Sequence, residues 1–201
     1  MTNKINQDLI SSLINNNDKV LDIGCGNGEL LYFLEKTKNI QGQGIEISHL
    51  GVKESVTKGL SVIQGDADED LVSFTNNTFD VVILSDTLQA THKPKEVLKE
   101  MLRIGKKCII CIPNFGYWQY RLQILFYGIM PVTETLSEPW YSTPNIHLCT
   151  IKDFINLCNS LNISINQAYR NTHNNIKKIE KPDSYFNNLL STEGIFILTK
   201  K

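Results

Sequence analysis

The sequence has no uninterrupted apolar run of the roughly 18–20 residues that a bilayer-spanning helix needs. It also has no dense block of Lys or Arg, and its formal net charge is −1. A protein that neutralises a phosphate backbone needs a basic face, so nucleic acid is a poor fit as partner. Its five cysteines are odd in number and lack framework spacing, which argues against a disulfide scaffold and for reduced thiols. The N-terminal MTNKINQDLISSLINNNDK is too polar for a signal peptide, and a cytoplasmic location is expected. What remains, 201 residues with 41% hydrophobic and 20% charged, suits one α/β domain that can bury a sizeable core.

Within that frame, apolar positions at helical spacing cover residues 5–16, and Val20 to Ile23 reads as a short buried strand. A glycine loop follows, then a helix from Glu29, a strand over Gly42–Ile47 and a helix over 49–58. Leu60–Gln64, Phe79–Leu84 and Cys108–Ile112 are further strands, with a helix opened by Pro94 between the last two. Tyr117–Tyr127 and Thr150–Leu161 read as helices, Ile163–Tyr169 and Gly194–Thr199 as strands. Residues 128–150, with three prolines, should be irregular, and 171–193 polar and mobile. The alternation predicts a doubly wound, mostly parallel, seven-stranded Rossmann-like sheet in a single domain over 1–201. An aromatic and proline-rich insertion, 114–150, follows strand five.

The loop carries the chemistry. Its spacing is Asp22-x-Gly24-x-Gly26-x-Gly28, and Glu29 stands where the dinucleotide fingerprint G-x-G-x-x-G has its third glycine. A pyrophosphate ligand, and with it a NAD-dependent oxidoreductase, is therefore disfavoured. Glu46 ends strand two, where a carboxylate can accept from two ribose hydroxyls, and Asp66 lies just past strand three, placed for an adenine amino group. Either alone could be a solvated strand-end acid. Together with the loop they mark the ligand-binding edge of an open α/β sheet.

After strand four the chain reads Ser85-Asp86-Thr87-Leu88-Gln89, unlike the Asn/Asp-Pro-Pro-Tyr/Phe string of methyltransferases that act on adenine or glutamine nitrogen. Asp86 and His147 are candidate general bases, against bland alternatives of a solvated cap and a structural hydrogen bond. His92 adjoins Lys93-Pro94 at a helix entrance and is set aside. Cys108-Ile-Ile-Cys111 has redox spacing but lies in a buried strand, where neither thiol is activated. His147 and Cys149 with Cys158 lack a fourth ligand at zinc spacing, and no metal is expected. Phe115, Tyr117, Trp118, Tyr120, Trp140 and Tyr141, with Arg121, form either a substrate or partner surface or a lid packed on the sheet.

Residues 20–28, with Glu46 and Asp66, resemble the S-adenosylmethionine (SAM)-dependent methyltransferase superfamily. Over nearly its whole length the chain resembles more closely the methionine biosynthesis protein MetW family. The strings that say so are Leu84–Thr91, Glu100–Gly105, Pro113–Trp118, Met130–Thr133 and Trp140–Phe154. The resemblance implies a class I methyltransferase fold holding SAM or S-adenosylhomocysteine (SAH). The cofactor contacts would be Asp22, Gly24, Cys25, Gly26, Gly28, Glu46, Ile47, Asp66, Ala67 and Ser85. It further implies support of a homoserine O-acyltransferase as partner; an active methyltransferase on a small-molecule acceptor is the alternative.

Overall fold

The computed structural model describes residues 4–133, 136 and 138–200. Helix α1 (Lys4–Ser12) precedes β1 (Lys19–Ile23), α2 (Glu29–Lys38), β2 (Gln41–Glu46), α3 (His49–Thr57), β3 (Val62–Gln64) and β4 (Phe79–Ser85). Then come α4 (Pro94–Ile104), β5 (Gly105–Pro113), α5 (Trp118–Tyr127), α6 (Ile151–Ser160), β6 (Ile163–Thr172), β7 (Asn175–Ile179), α7 (Tyr185–Leu190) and β8 (Glu193–Lys200). The strands form one sheet in the order β3-β2-β1-β4-β5-β8-β6-β7. Strands β1 to β5 pair in parallel, and β8 lies antiparallel to both β5 and β6. Strand β6 therefore runs with the first five, and β7 and β8 run against them.

Period-two alternation sends each strand's side chains to two separate cores. Leu21, Ile23, Val82, Leu84 and Ile110 pack under α4 and α6 with Leu98, Met101, Phe154 and Phe196. Val20, Val81, Ile83 and Ile109 pack on the other face with Ile10 of α1 and Leu31 and Leu34 of α2. Covering on both faces is what the near-continuous apolar strands require. Helix α6 starts on a capping box: the Thr150 side chain accepts from the Asp153 amide, and Asp153 accepts back from the Thr150 amide.

Two sequence expectations need correction. The sheet has eight strands, and the stretch 171–193 contains the additional one, β7, together with α7. Thr172 pairs with Asn175 across a two-residue turn, with φ +47° at His173 and +66° at Asn174. Positive φ at both turn residues matches the twist of an antiparallel hairpin, and His and Asn accept the left-handed region more readily than most residues. As the sheet's edge, β7 has a neighbour on one side only and carries Lys177 and Lys178, a polar pattern suited to an edge strand. The second correction is that β5 begins at Gly105, because α4 passes directly into the strand. A Cβ at Gly105 would lie 2.6 Å from Cγ2 of Val82, so the strand needs glycine there.

Candidate functional site

Strand order reverses between β1 and β4, and open α/β sheets bind ligands at the carboxyl ends of the strands flanking such a point. A cavity of about 380 Å³ opens there. Of the residues expected from the sequence, Asp22, Gly24, Cys25, Gly26, Ser85 and Asp86 line it. The structure adds Thr87 after β4, Asn27, Glu29 and Leu30 at the start of α2, and Glu54 on α3.

The loop leaves β1 in left-handed backbone, with φ +70° at Gly24 and +56° at Gly26. A Cβ on Gly24 would sit 2.5 Å from Oγ1 of Thr87, so glycine lets the loop close against the end of β4. A Cβ on Gly26 would meet no atom within 4 Å. That position faces open space, which is what a backbone cradle for a ligand requires. Gly28 lies outside the cavity lining; it precedes α2 and packs against Leu60 and Ser55.

Glu46 is buried, and its two carboxylate oxygens accept from the backbone amides of Gly26 and Ser48, each at 2.8 Å. It thus pins the loop to the end of β2, and each oxygen keeps a lone pair for a further donor. Ile47 beside it is 65% exposed, unusual for an aliphatic side chain at a strand end. Asp66 and Ala67 follow β3; Asp66 accepts the Asp68 amide at 2.8 Å, and Ala67 packs on the core. Glu46, Ile47, Asp66 and Ala67 therefore share the carboxyl edge of β2 and β3, next to the cavity rather than in its lining. Gly65 bridges the two strand ends by donating its amide to the Glu46 carbonyl at 3.0 Å.

Electrostatics single out the site. Asp22, Glu29, Glu54 and Asp86 face the cavity, and no Lys, Arg or His is among the described residues lining it. Burial, with a smaller contribution from the nearby charge of Glu46, pushes the Asp22 carboxyl up to about 7. Asp86 is half-buried with φ +54°, and its carboxyl is raised by desolvation and by Glu193. Its amide donates to the Cys111 carbonyl at 3.1 Å, and Gln89 Nε2 donates to its carbonyl at 2.7 Å. This lining offers a phosphate no described counter-charge, and a bound cation would favour loss of the protons on Asp22 and Asp86.

His147 is not brought to this cavity. Its amide donates to the Gln89 carbonyl at 2.9 Å, and its exposed side chain borders a separate apolar pocket of about 110 Å³ beside Leu88, Cys149 and Phe154. The amides of His92 and Lys93 both donate to Asp68, which caps the entrance to α4. Cys108 and Cys111 point to opposite faces of the sheet, and burial lifts both thiols, that of Cys108 to about 12. Among the described residues no group of three or more His, Cys, Asp or Glu is placed to hold a metal ion. None of the helices among them is long and apolar enough to cross a membrane.

Tyr117 and Tyr120 are buried with Leu136, whereas Trp140 and Tyr141 are about three-quarters exposed. The aromatic group foreseen from the sequence is thus divided between packing and surface.

The family model of the methionine biosynthesis protein MetW matches residues 4–198. A bifunctional methionine biosynthesis protein MetXA/MetW from Rhodopirellula baltica is 34% identical over 176 residues. That match takes in 83% of this chain, yet the chain spans only 28% of that relative's length. A SAM-dependent methyltransferase from Thermotoga maritima superposes with a TM-score of 0.69 at 17% identity, over 97% of this chain and 87% of that one. Another from Archaeoglobus fulgidus gives 0.65 at 19% identity, over 96% and 94%. At these identities the likeness establishes the class I methyltransferase fold.

Proposed function

Since the chain belongs to the methionine biosynthesis protein MetW family, we propose that it binds SAM or SAH and supports a homoserine O-acyltransferase as a partner protein. The observation that carries the ligand half is the acidic lining of the cavity at the β1/β4 switch point, with no basic side chain among the described residues that line it. SAM brings a sulfonium and an ammonium and no phosphate, which this lining suits and a dinucleotide does not. Gly24 and Gly26 would let the backbone approach the ligand, and Asp22 and Asp86 would face its cationic end. Glu46 has lone pairs left for the ribose hydroxyls, Ile47 offers an apolar face to the adenine, and Asp66 an acceptor for its amino group. Cys25, Ala67 and Ser85 would complete the contacts, with Gly28 holding the loop's shape.

The partner half is supported by the relative that unites MetXA and MetW in one bifunctional chain. The test is to assay the acyltransferase with and without this protein, and to pull one down with the other. Stimulated activity and a stable complex are expected. Full acyltransferase activity without this protein, together with SAM turnover on a metabolite, would sink the partner role.

A second reading, methyl transfer to a small molecule, is favoured by one observation. Asp86 sits in the cavity in left-handed backbone with its carboxyl raised, as a general base near neutral pH would be. SAM would supply the electrophilic methyl group, and Asp86 would take a proton from the acceptor. His147, on the separate pocket, would need to reach the cavity to share that work. Intact SAM binding without turnover across a metabolite panel would eliminate this reading.

A further inference from the structure

Helix α5 carries an apolar stripe that the fold leaves uncovered. Leu122, Leu125 and Phe126 recur at i, i+3 and i+4, the spacing of a helix face that is normally buried, and Ile129 follows just past the C-cap Gly128. Here they are 40%, 72%, 71% and 58% exposed. Tyr127 beside them, and Trp140 and Tyr141 in the following segment, are each about three-quarters exposed. Next to them lies a second cavity of about 340 Å³, walled by Met130, Pro131, Leu136, Trp140, Ile146 and Leu148. Exposed apolar groups in this number, rather than scattered singly, mark an interaction site more often than free surface.

Composition says what kind of partner fits. Residues 114–148 hold both tryptophans and eight of the chain's 17 aromatic residues, but their Asp, Glu, Lys and Arg are only Arg121, Glu134 and Glu138. Arg121 is its single Lys or Arg, and Arg121 Nε donates to the Gly116 carbonyl at 2.6 Å, so the stretch lacks the cluster of cations that nucleic acid phosphates or anionic lipid headgroups require. Aromatic enrichment with depletion of charge is the signature of the core of a protein–protein interface.

We infer that α5 and residues 138–148 form the docking surface for the acyltransferase. This rests on the partner role proposed above. The occupant is chosen because the Rhodopirellula baltica relative holds a MetXA part beside the MetW part in the same polypeptide, the match to this chain taking 28% of it. A second protein is thereby kept next to this fold, and the surface described here is the one prepared to receive it. Side chains of the partner would fill the 340 Å³ cavity, with Phe126, Tyr127, Trp140 and Tyr141 as anchors around it.

Two variants test it: Leu125→Gln/Phe126→Gln on the helix, where Gln keeps good helix propensity, and Trp140→Ser/Tyr141→Ser on the segment. All four side chains are more than 70% exposed, so the unfolding midpoint and SAH affinity should match the wild type and report an intact fold. Affinity for the acyltransferase, measured by biolayer interferometry, should fall about 100-fold or more in each variant, as expected when two hot-spot side chains are removed. Wild-type binding with both variants within about threefold of it would overturn the surface assignment while leaving the partner role standing. No complex with the wild type would overturn both. If light scattering instead shows a wild-type dimer that both variants dissolve, with acyltransferase binding unchanged, the surface belongs to a second copy of this chain and the inference is wrong.

Discussion

Replacing Asp22 with Asn should flatten the pH dependence of stability, because this buried carboxyl carries a proton in the folded state that the unfolded chain gives up. Asp22 is 3% exposed at the end of β1, and burial raises its carboxyl from 3.8 to about 7, with Glu46 adding to the rise. Below pH 3.8 both states hold the proton and the group has no effect. As pH rises from there to about 7, the unfolded chain ionises while the folded one does not, so unfolding gains free energy and stability falls. At about 1.4 kcal/mol per pH unit across that interval, the loss is about 4 kcal/mol, a large share of a typical domain's 5–15 kcal/mol. Asn is close to isosteric and does not titrate. Urea unfolding of ligand-free protein at pH 4.5, 6 and 8 would measure the difference between the two proteins. The Asp22→Asn variant should gain on the wild type steadily, by several kcal/mol between the extremes. Parallel stabilities, within about 1 kcal/mol at all three values, would show that Asp22 is ionised when folded, and the account of the site's electrostatics would be wrong.

Gly26→Val should abolish SAH binding in calorimetry while the protein still folds. Its Cβ enters open space, so the stability cost is only that of left-handed backbone, about 1–3 kcal/mol; unchanged affinity would refute the placement of the ligand. Asn114→Leu should destabilise by about 3–5 kcal/mol in chemical denaturation, and a loss under 1 kcal/mol would contradict the following bonds. The buried Asn114 side chain donates to the carbonyls of Asn188 and Ser191, both at 2.7 Å, and accepts from the amides of Gly116 and Ile151. Cys149 alone among the five cysteines is not buried, so iodoacetamide should label it first in the folded protein, read by peptide mass. Cys108 and Cys111 should stay unlabelled until the protein unfolds, and equal labelling of all five would contradict the burial described.

Most of the elements could be read from the sequence because two rules act together on them. Strands covered on both faces are apolar throughout, and the helices between them repeat with the period of one buried stripe, as in Val97, Leu98, Met101 and Leu102 of α4. Strand β7 escapes both rules. It packs on one neighbour, and its sequence, NIKKI, is as polar as a loop. The one local signal is the His173-Asn174 pair, and only knowledge that both take positive φ turns that pair into a hairpin.

At the candidate site, the residues legible in advance are those whose role follows from position on a single strand: Asp22, Gly24 and Gly26 at the end of β1, Glu46 at the end of β2, Ser85 and Asp86 at the end of β4. Glu54 was not legible, since it comes from packing of α3 against the loop. Gly51 lies so close that a Cβ there would be 2.8 Å from the Gly26 carbonyl, and Ser55 donates its hydroxyl to that carbonyl at 3.1 Å. One turn of helix separates these contacts from their outcome, which is to present Glu54 to the cavity.

Helical phase explains why the aromatic segment could not be assigned from composition. Tyr117 and Tyr120, three residues apart at the start of α5, turn inward onto Leu136, and the Tyr120 hydroxyl lies 3.0 Å from Thr133 Oγ1. The row Leu122, Leu125 and Phe126 turns the other way. A lid that packed its own aromatics on the sheet would have to bury the second row as well as the first, and it does not. The inner tyrosines tie the helix to Leu136 and Thr133, so its backbone is already placed when a partner meets the outer row. A helix placed in advance has less backbone order to gain on binding, so the same burial that hides Tyr117 and Tyr120 favours binding through Phe126.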